Sequence, residues 1–170
     1  MSTLYLMCGA PFSGKTTLAK HIAERMRANY ISLDDLMRQR GLDLTYPQPI
    51  EEWEKTHQQC IQLLHSLMQQ EQNIVLDDTN FLRWLRDRFR SVAIEHQYPV
   101  VTVYIDIPVV ELERRRQQAL ATQERNYLVD ENFYPVIEQF EIPDHTENTI
   151  IFDTTSYLLD WMNKYIPSPG

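Results

Sequence analysis

The residues most able to do chemistry in this chain lie in a glycine-rich stretch near its start. Residues 9–16 keep the spacing G-x-x-x-x-G-K-[ST], in which backbone N–H groups cradle a polyphosphate at the beginning of a helix. We expect Lys15 to reach the β- and γ-phosphates of a nucleotide and the Thr16 hydroxyl to ligate Mg²⁺. The residues predicted to form the phosphate site are Gly9, Ala10, Pro11, Phe12, Ser13, Gly14, Lys15, Thr16 and Thr17.

The sequence around this loop predicts the strand and the helix that such a loop requires. Residues 4–8 are a short apolar run suited to a buried strand. Residues 17–23 have helical spacing, with Leu18 and Ile22 on one face. Because strand, loop and helix occur in the expected order, a nucleotide site is favoured over a chance glycine loop.

Two pairs of aspartates follow predicted strands further along the chain. Asp34 and Asp35 follow the apolar residues 30–33, and Asp77 and Asp78 follow a second apolar run. Open parallel sheets bind their ligands at the carboxyl ends of the strands, so we expect both pairs beside the phosphate loop. In the second pair, one aspartate can hold the magnesium ion or its waters while the other forms an Asx-type turn.

Length and composition are those of an ordinary globular protein. With 170 residues, 43% of them hydrophobic and 24% charged, we expect a single domain over residues 1–166 and a flexible tail over 167–170. No apolar run approaches the ~20 residues of a membrane span, and the first strand lacks the basic start of a signal peptide. We therefore predict a cytoplasmic protein without membrane contacts.

Charge and cysteine content narrow the function classes further. The formal net charge of −8 argues against a protein that grips long duplex nucleic acid by its phosphates. Cys8 and Cys60 have neither the spacing of a zinc site nor the number needed for a disulfide framework. We predict that both are buried thiols, the first in a strand and the second in a helix.

The rest of the chain alternates between helical and strand patterns. Residues 38–49 contain a glycine and two prolines and predict a loop or short lid. Residues 53–67 predict a half-buried helix with His57 on its core face and without a catalytic role. Further strands are predicted at 100–107 and 149–153, and further helices at 82–92, 109–118, 131–140 and 158–165. Five strands alternating with helices indicate an α/β fold, a parallel sheet covered on both faces.

Arginines cluster on two of these helices. The first set, expected on a solvent-exposed helix face, is Arg83, Arg86, Arg88 and Arg90. On the second helix, Arg115 lies four residues after Glu111. That spacing allows either a surface ion pair or a lid arginine that closes over transferring phosphates, and it leaves both interpretations open.

Together these stretches resemble small P-loop kinases of the polynucleotide-kinase-like group, the AAA_33 type, and more distantly chloramphenicol phosphotransferase and the zeta toxins. The resemblance covers nearly the whole chain and keeps the order and approximate spacing of that family. It is carried by residues 9–17, 33–36, 76–80, 106–108 and 140–143, with Glu111, Leu112 and Arg115. It implies the three-layer P-loop NTPase sandwich of the nucleotide kinases, with a five-stranded parallel sheet and a helical lid at about residues 109–130.

The resemblance also implies a reaction and roles for particular residues. The reaction is transfer of the γ-phosphoryl group of ATP, with Mg²⁺, to a hydroxyl. Asp34 maps to the family's catalytic aspartate, which takes the proton of that hydroxyl, and Asp35 is the alternative. Asp78 maps to the magnesium or water ligand of the family's Asp-Thr-Asn motif. Arg115 and Arg125 map to the arginines of the lid.

Two departures from the family pattern bear on the acceptor. Viral polynucleotide kinases carry a basic residue three positions after the catalytic aspartate, where this chain has Met37, and an arginine just before the aspartate pair, where it has Leu33. Together with the acidic composition, this favours a small-molecule acceptor over a nucleic acid end. The same motifs serve metabolic, toxin-like and antibiotic-modifying kinases.

A second interpretation is a regulatory or switch-like ATP-binding module without a dedicated acceptor. A GTPase switch is disfavoured because no Asp-x-x-Gly follows a predicted strand and residues 163–166 lack the aspartate that reads guanine. An inert module has little need of Asp34, which favours the kinase. Turnover of ATP that depends on an added acceptor distinguishes the two.

Overall fold

Five parallel strands form the sheet that positions the phosphate loop. The computed structural model describes residues 1–123 and 128–168, so Arg125 and the end of the predicted tail lie outside the described residues. In chain order the strands are β1 (Leu4–Cys8), β2 (Asn29–Ser32), β3 (Ile74–Asp77), β4 (Val100–Asp106) and β5 (Thr149–Asp153). They pair in the order β2-β3-β1-β4-β5, which places β1, the strand before the phosphate loop, at the centre.

Helices cover both faces of this sheet. They are α1 (Lys15–Met26), α2 (Leu33–Gln39), α3 (Ile50–Gln69), α4 (Arg83–Glu95), α5 (Val109–Thr122), α6 (Asp130–Gln139) and α7 (Leu158–Tyr165). The core on one face joins the sheet to α2, α3 and α4, and the core on the other joins it to α1 and α7. The predicted three-layer α/β architecture is therefore confirmed. Within the described residues, no helix combines the length and apolar character needed to cross a membrane.

The helix α2 corrects the sequence prediction for the segment after β2. The strand ends at Ser32, one residue earlier than expected, and the helix begins at Leu33. The Ser32 hydroxyl caps this helix by accepting a hydrogen bond from the Asp35 N–H at 3.2 Å. Asp34 and Asp35 therefore occupy the first turn of a helix, where their negative charges interact favourably with the helix dipole.

The structure also corrects the prediction for the arginines of α4, because Arg86 does not lie on a solvent-exposed face. It is fully buried, and its guanidinium donates to both carboxylate oxygens of Glu147 at 2.7 and 2.9 Å. It also donates to the Asn80 carbonyl at 2.8 Å, and Arg90 donates to Glu147 at 2.9 Å. This buried network holds the loop that follows β3 against the sheet. Helical spacing alone predicted that Arg86 faces solvent. Its buried charge is stabilised instead by these polar partners.

His57 lies on the core face of α3, as predicted. It is 5% exposed, and its ring stacks on Phe89 with 5.2 Å between centroids. Burial, with a smaller contribution from the Arg88 charge, lowers the pKa of His57 to about 4. The imidazole is therefore neutral in the folded protein at neutral pH.

Acidification is expected to destabilise the fold through His57. The pKa of His57 is about 4 in the folded protein and returns to its ordinary value of 6.5 in the unfolded chain, so unfolding takes up a proton between these pH values. The free energy of unfolding should fall by up to about 3 kcal/mol as the pH drops across that window. Denaturant melts of the wild type and of His57→Phe, which keeps a ring against Phe89, measure this. Asp34 and Asp78, with raised pKa values, act in the opposite direction in both proteins. Parallel pH profiles for the two proteins would contradict the prediction.

Candidate active site

The loop between β1 and α1 depends on its two glycines. The Gly9 N–H donates to the Thr79 carbonyl at 3.0 Å, which ties the loop to the segment after β3. A Cβ at Gly9 would lie 2.9 Å from the Ser13 hydroxyl, too close for any side chain. Gly14 has φ 87°, the left-handed conformation that glycine adopts at least cost. The two positions therefore require glycine for different reasons, close approach and backbone conformation.

Phe12 is the unusual member of this loop. Its φ is 67°, a conformation that is rare for an aromatic residue and is found at functional sites. The ring packs against Phe133 of α6 with 6.1 Å between centroids, and the Phe12 carbonyl accepts a hydrogen bond from Arg115 at 3.0 Å. These contacts hold the strained residue in place and join the phosphate loop to α5 and α6.

The environment of the Ser13 hydroxyl indicates whether the loop is suited to bind an anion. Ser13 is 4% exposed, and its hydroxyl has no hydrogen-bond partner among the described residues. A buried polar group without a partner is costly and calls for an explanation. A phosphate oxygen bound in the loop would accept this hydrogen bond, so the loop fits the polyphosphate that its sequence predicts.

Asp77 contacts both the side chain predicted to bind phosphate, Lys15, and the side chain predicted to bind the metal, Thr16. Lys15 donates to one carboxylate oxygen of Asp77 at 2.9 Å, and the Thr16 hydroxyl donates to the other at 2.8 Å. The Tyr30 hydroxyl donates to that second oxygen at 2.6 Å. Asp77 is 3% exposed and is the last residue of β3, opposite Ser32 of β2.

The charges in this cluster stabilise one another. Burial by itself would raise the pKa of Asp77, but the Lys15 charge and the donated hydrogen bonds hold that pKa below its usual range. Burial by itself would lower the pKa of Lys15, but the Asp77 carboxylate raises it. Lysine and aspartate are therefore both ionised at neutral pH, as a site for phosphate and a metal ion requires.

Asp78, the predicted magnesium ligand, is placed differently from Asp77. It is buried, and the backbone N–H groups of Thr79 and Asn80 favour the charged form of its carboxylate. Burial raises its pKa, against the lowering effect of Lys15. Sequence reasoning missed Asp77 as the partner of Thr16, although the position of Asp77 at the very end of a strand was a signal for it.

Asp34 reaches the same pocket from α2. The pocket is lined by Lys15, Thr16, Ser32, Asp34, Asp77, Asp78 and Thr79. The Asp34 side chain is about half exposed at this edge, and partial desolvation together with the nearby Asp78 charge raises its pKa. Asp35 is absent from the lining and instead accepts a hydrogen bond from Arg38 at 3.0 Å. The structure thus brings the first aspartate of the pair, and not the second, to the phosphate loop.

Arg115 forms the ion pair that its sequence spacing allows, and it also contacts the phosphate loop. It donates to Glu111 on its own helix at 2.8 Å and to the Phe12 carbonyl of the phosphate loop at 3.0 Å. Arg116, one residue later, is buried against the rings of Phe133 and Tyr134 and donates to Asp130. The helix α5 therefore holds one arginine over the loop and uses the next to pack against α6.

Solved structures with this fold include several small kinases. A sugar kinase from Janibacter sp. HTCC2649 is 16% identical, with a TM-score of 0.71 over 96% of this chain and 92% of that chain. The APS kinase of Mycobacterium tuberculosis, in complex with AMPPNP and APS, is 15% identical, with a TM-score of 0.75 over 97% and 95%. Chaetomium thermophilum Kti12, in complex with ADP-AlF3, is 13% identical, with a TM-score of 0.72 over 98% and 99%. At these identities the similarity shows the fold.

The family follows from the sequence. No curated protein matches the chain significantly. The sequence profile of the AAA domain family AAA_33 matches residues 4–143, from the first residue of β1 to the segment that follows α6. The match spans the phosphate loop, both aspartate pairs and Arg115, and it confirms the resemblance found in the sequence. The chain therefore belongs to the AAA_33 family of AAA domains, built on the fold of the small P-loop kinases.

Proposed function

We propose that the protein is an ATP-dependent kinase that transfers the γ-phosphoryl group to a hydroxyl of a small molecule. The observation that carries this proposal is the Asp34 carboxylate in the pocket that also contains Lys15 and Thr16. A site that only binds ATP needs the loop, the lysine and the threonine. A carboxylate from another helix, beside the loop and only half buried, has the position and the exposure of a base for an incoming hydroxyl.

In the proposed reaction Asp34 orients the acceptor hydroxyl and takes its proton. The acceptor oxygen forms a bond to the γ-phosphorus while the bond from that phosphorus to the bridging oxygen of ADP breaks, and the bridging oxygen keeps the electron pair. Lys15 leaves Asp77 to bind the phosphate oxygens. Arg115, which already donates a hydrogen bond to the phosphate loop, supplies a second positive charge that stabilises the transferring phosphoryl group. Arg125, the other arginine assigned by resemblance, is proposed for the same role and lies outside the described residues.

The site also suits a magnesium ion. A hydroxyl and carboxylates are the hard oxygen ligands that Mg²⁺ prefers, and the Thr16 hydroxyl already lies 2.8 Å from an Asp77 oxygen. Thr16 would hold the ion together with Asp77 or, as the family resemblance implies, Asp78. When bound, the ion neutralises charge on the β- and γ-phosphates.

The charges around Asp34 favour a small acceptor without many phosphates. Met37, at the family's phosphate-binding position, is fully buried in the core and cannot contact an acceptor. Arg38, the next residue, forms ion pairs with Asp35 and Asp34, with nitrogen-to-oxygen distances of 3.0 and 3.9 Å. Arg40 is held by Glu52 and Thr56 of α3. By name, the structurally similar sugar kinase and APS kinase act on small molecules, in agreement with this proposal.

Phosphate transfer from γ-labelled ATP tests this function. The protein is incubated with Mg²⁺ and, separately, with nucleosides, sugars, hydroxylated antibiotics and 5′-hydroxyl oligonucleotides. We expect label on one class of small molecule. Label on an oligonucleotide would contradict the small acceptor while keeping the kinase, and ATP hydrolysis that no acceptor increases would favour the regulatory ATP-binding module.

A further inference from the structure

Tyr30 makes a contact in the site that the proposed reaction does not use. It lies on β2, two residues before Ser32, and its hydroxyl donates to Asp77 on the neighbouring strand at 2.6 Å. Neither the glycine-rich motif nor the aspartate pairs point to a tyrosine at this position. We propose that Tyr30 is a positioning residue, which holds the Asp77 carboxylate in place when a metal–nucleotide complex binds. This inference rests on the proposed function.

The need for such a residue follows from the other partners of Asp77. Its side-chain donors in the described structure are Lys15, Thr16 and Tyr30. The first two are the groups that turn to phosphate and metal in the proposed reaction, so Asp77 loses both when the nucleotide binds. Tyr30 is the donor that has no part in binding the nucleotide and can remain.

The surroundings of Asp77 make this remaining donor important. Asp77 is 3% exposed, so few water molecules can reach it to replace lost hydrogen bonds. The neighbouring carboxylates of Asp78 and Asp34 repel its charge. A buried carboxylate in these surroundings needs a fixed donor to keep both its orientation and its charge.

The tyrosine ring is itself held in place, so its hydroxyl can act as a fixed donor. The ring packs against the core cluster formed with α1 and α7. The Lys20 ammonium lies 5.9 Å from the ring centroid, on the side of α1. Replacement by phenylalanine keeps this packing and removes only the hydroxyl, which makes Tyr30→Phe a clean test.

Binding of AMPPNP to the full chain, measured by calorimetry with Mg²⁺ and with EDTA, tests the proposal, and Mn²⁺ affinity by electron paramagnetic resonance gives a second readout. We expect Tyr30→Phe to weaken metal-dependent binding about 10-fold, a typical contribution of a hydrogen bond to a charged group, and to leave binding in EDTA unchanged. Tyr98→Phe is the matched control, because the Tyr98 hydroxyl donates at the same 2.6 Å, to the Gln72 carbonyl outside the site. The control should bind like the wild type.

The outcomes separate this inference from the proposed function. If the wild type fails to bind AMPPNP, the proposed function is wrong. If the wild type binds and Tyr30→Phe binds equally well with Mg²⁺, the positioning role is overturned. An equal loss with and without metal, together with a lower melting temperature, would show a purely structural role and also overturn it. In an Asp77→Asn background, Tyr30→Phe should have little further effect, since the carboxylate it serves is gone.

Discussion

Replacement of Lys15 by alanine is expected to lower phosphoryl transfer at least ~10³-fold, because the charge that stabilises the transferring phosphate is lost. Lys15 is held in the pocket by its 2.9 Å contact with Asp77, so its ammonium is positioned before the nucleotide arrives. The substitution also leaves the Asp77 carboxylate without the positive charge that it pairs with. Nucleotide affinity should therefore fall as well, since more negative charge remains where phosphates must bind.

Single-turnover transfer and AMPPNP titration separate these two effects of Lys15→Ala. Lys164→Ala, in the last turn of α7, removes a lysine of the same charge outside the pocket and should leave both measurements unchanged. The melting temperature of each variant controls for folding. Transfer within a few fold of the wild type in Lys15→Ala would mean that the loop binds phosphate without its lysine, and the kinase mechanism would then be wrong.

The elements with strong local signals could be predicted from the sequence. The strand β5 and the helix α7 were predicted with the bounds that the structure shows, because β-branched and helical patterns are uninterrupted there. The helix α2 was missed, since Leu33 reads equally well as the end of an apolar strand. The sequence did contain a start signal for this helix, which is the capping residue Ser32 three positions before Asp35. The hydrogen bond between the two fixes the beginning of the helix.

The parts of the site that could not be predicted are contacts between distant residues. The burial of Arg86 depends on Glu147, which lies 61 residues away, and helical periodicity contains no information about such a partner. Asp77 and Asp78 both line the pocket, and which of them is the partner of Lys15 and Thr16 depends on the direction of the two side chains at the end of β3, where a one-residue difference reverses the side of the strand. Tyr30 could not be identified because its partner becomes a neighbour only when β2 and β3 pair.

Replacement of Asp34 by asparagine is expected to reduce phosphoryl transfer by at least ~10²-fold while AMPPNP still binds, because an amide of the same shape cannot take the proton of the acceptor. The loss should appear in kcat. Desolvation and the Asp78 charge raise the pKa of Asp34, so wild-type kcat/KM should fall as the pH is lowered through that pKa and the base becomes protonated. The asparagine variant should lack this acid limb in its residual activity.

Asp35→Asn is the matched control for this variant, since the two side chains are equally exposed, at 51%, and both interact with Arg38. The two differ in position, because only Asp34 lines the pocket with Lys15 and Thr16. If Asp34 is the base, Asp35→Asn keeps most of the activity. The reverse result, a loss in Asp35→Asn alone, would assign the proton to Asp35 and require α2 to turn when the acceptor binds. Normal transfer by both variants would show that the reaction needs no side-chain base, and Asp34 would then serve only to orient the hydroxyl.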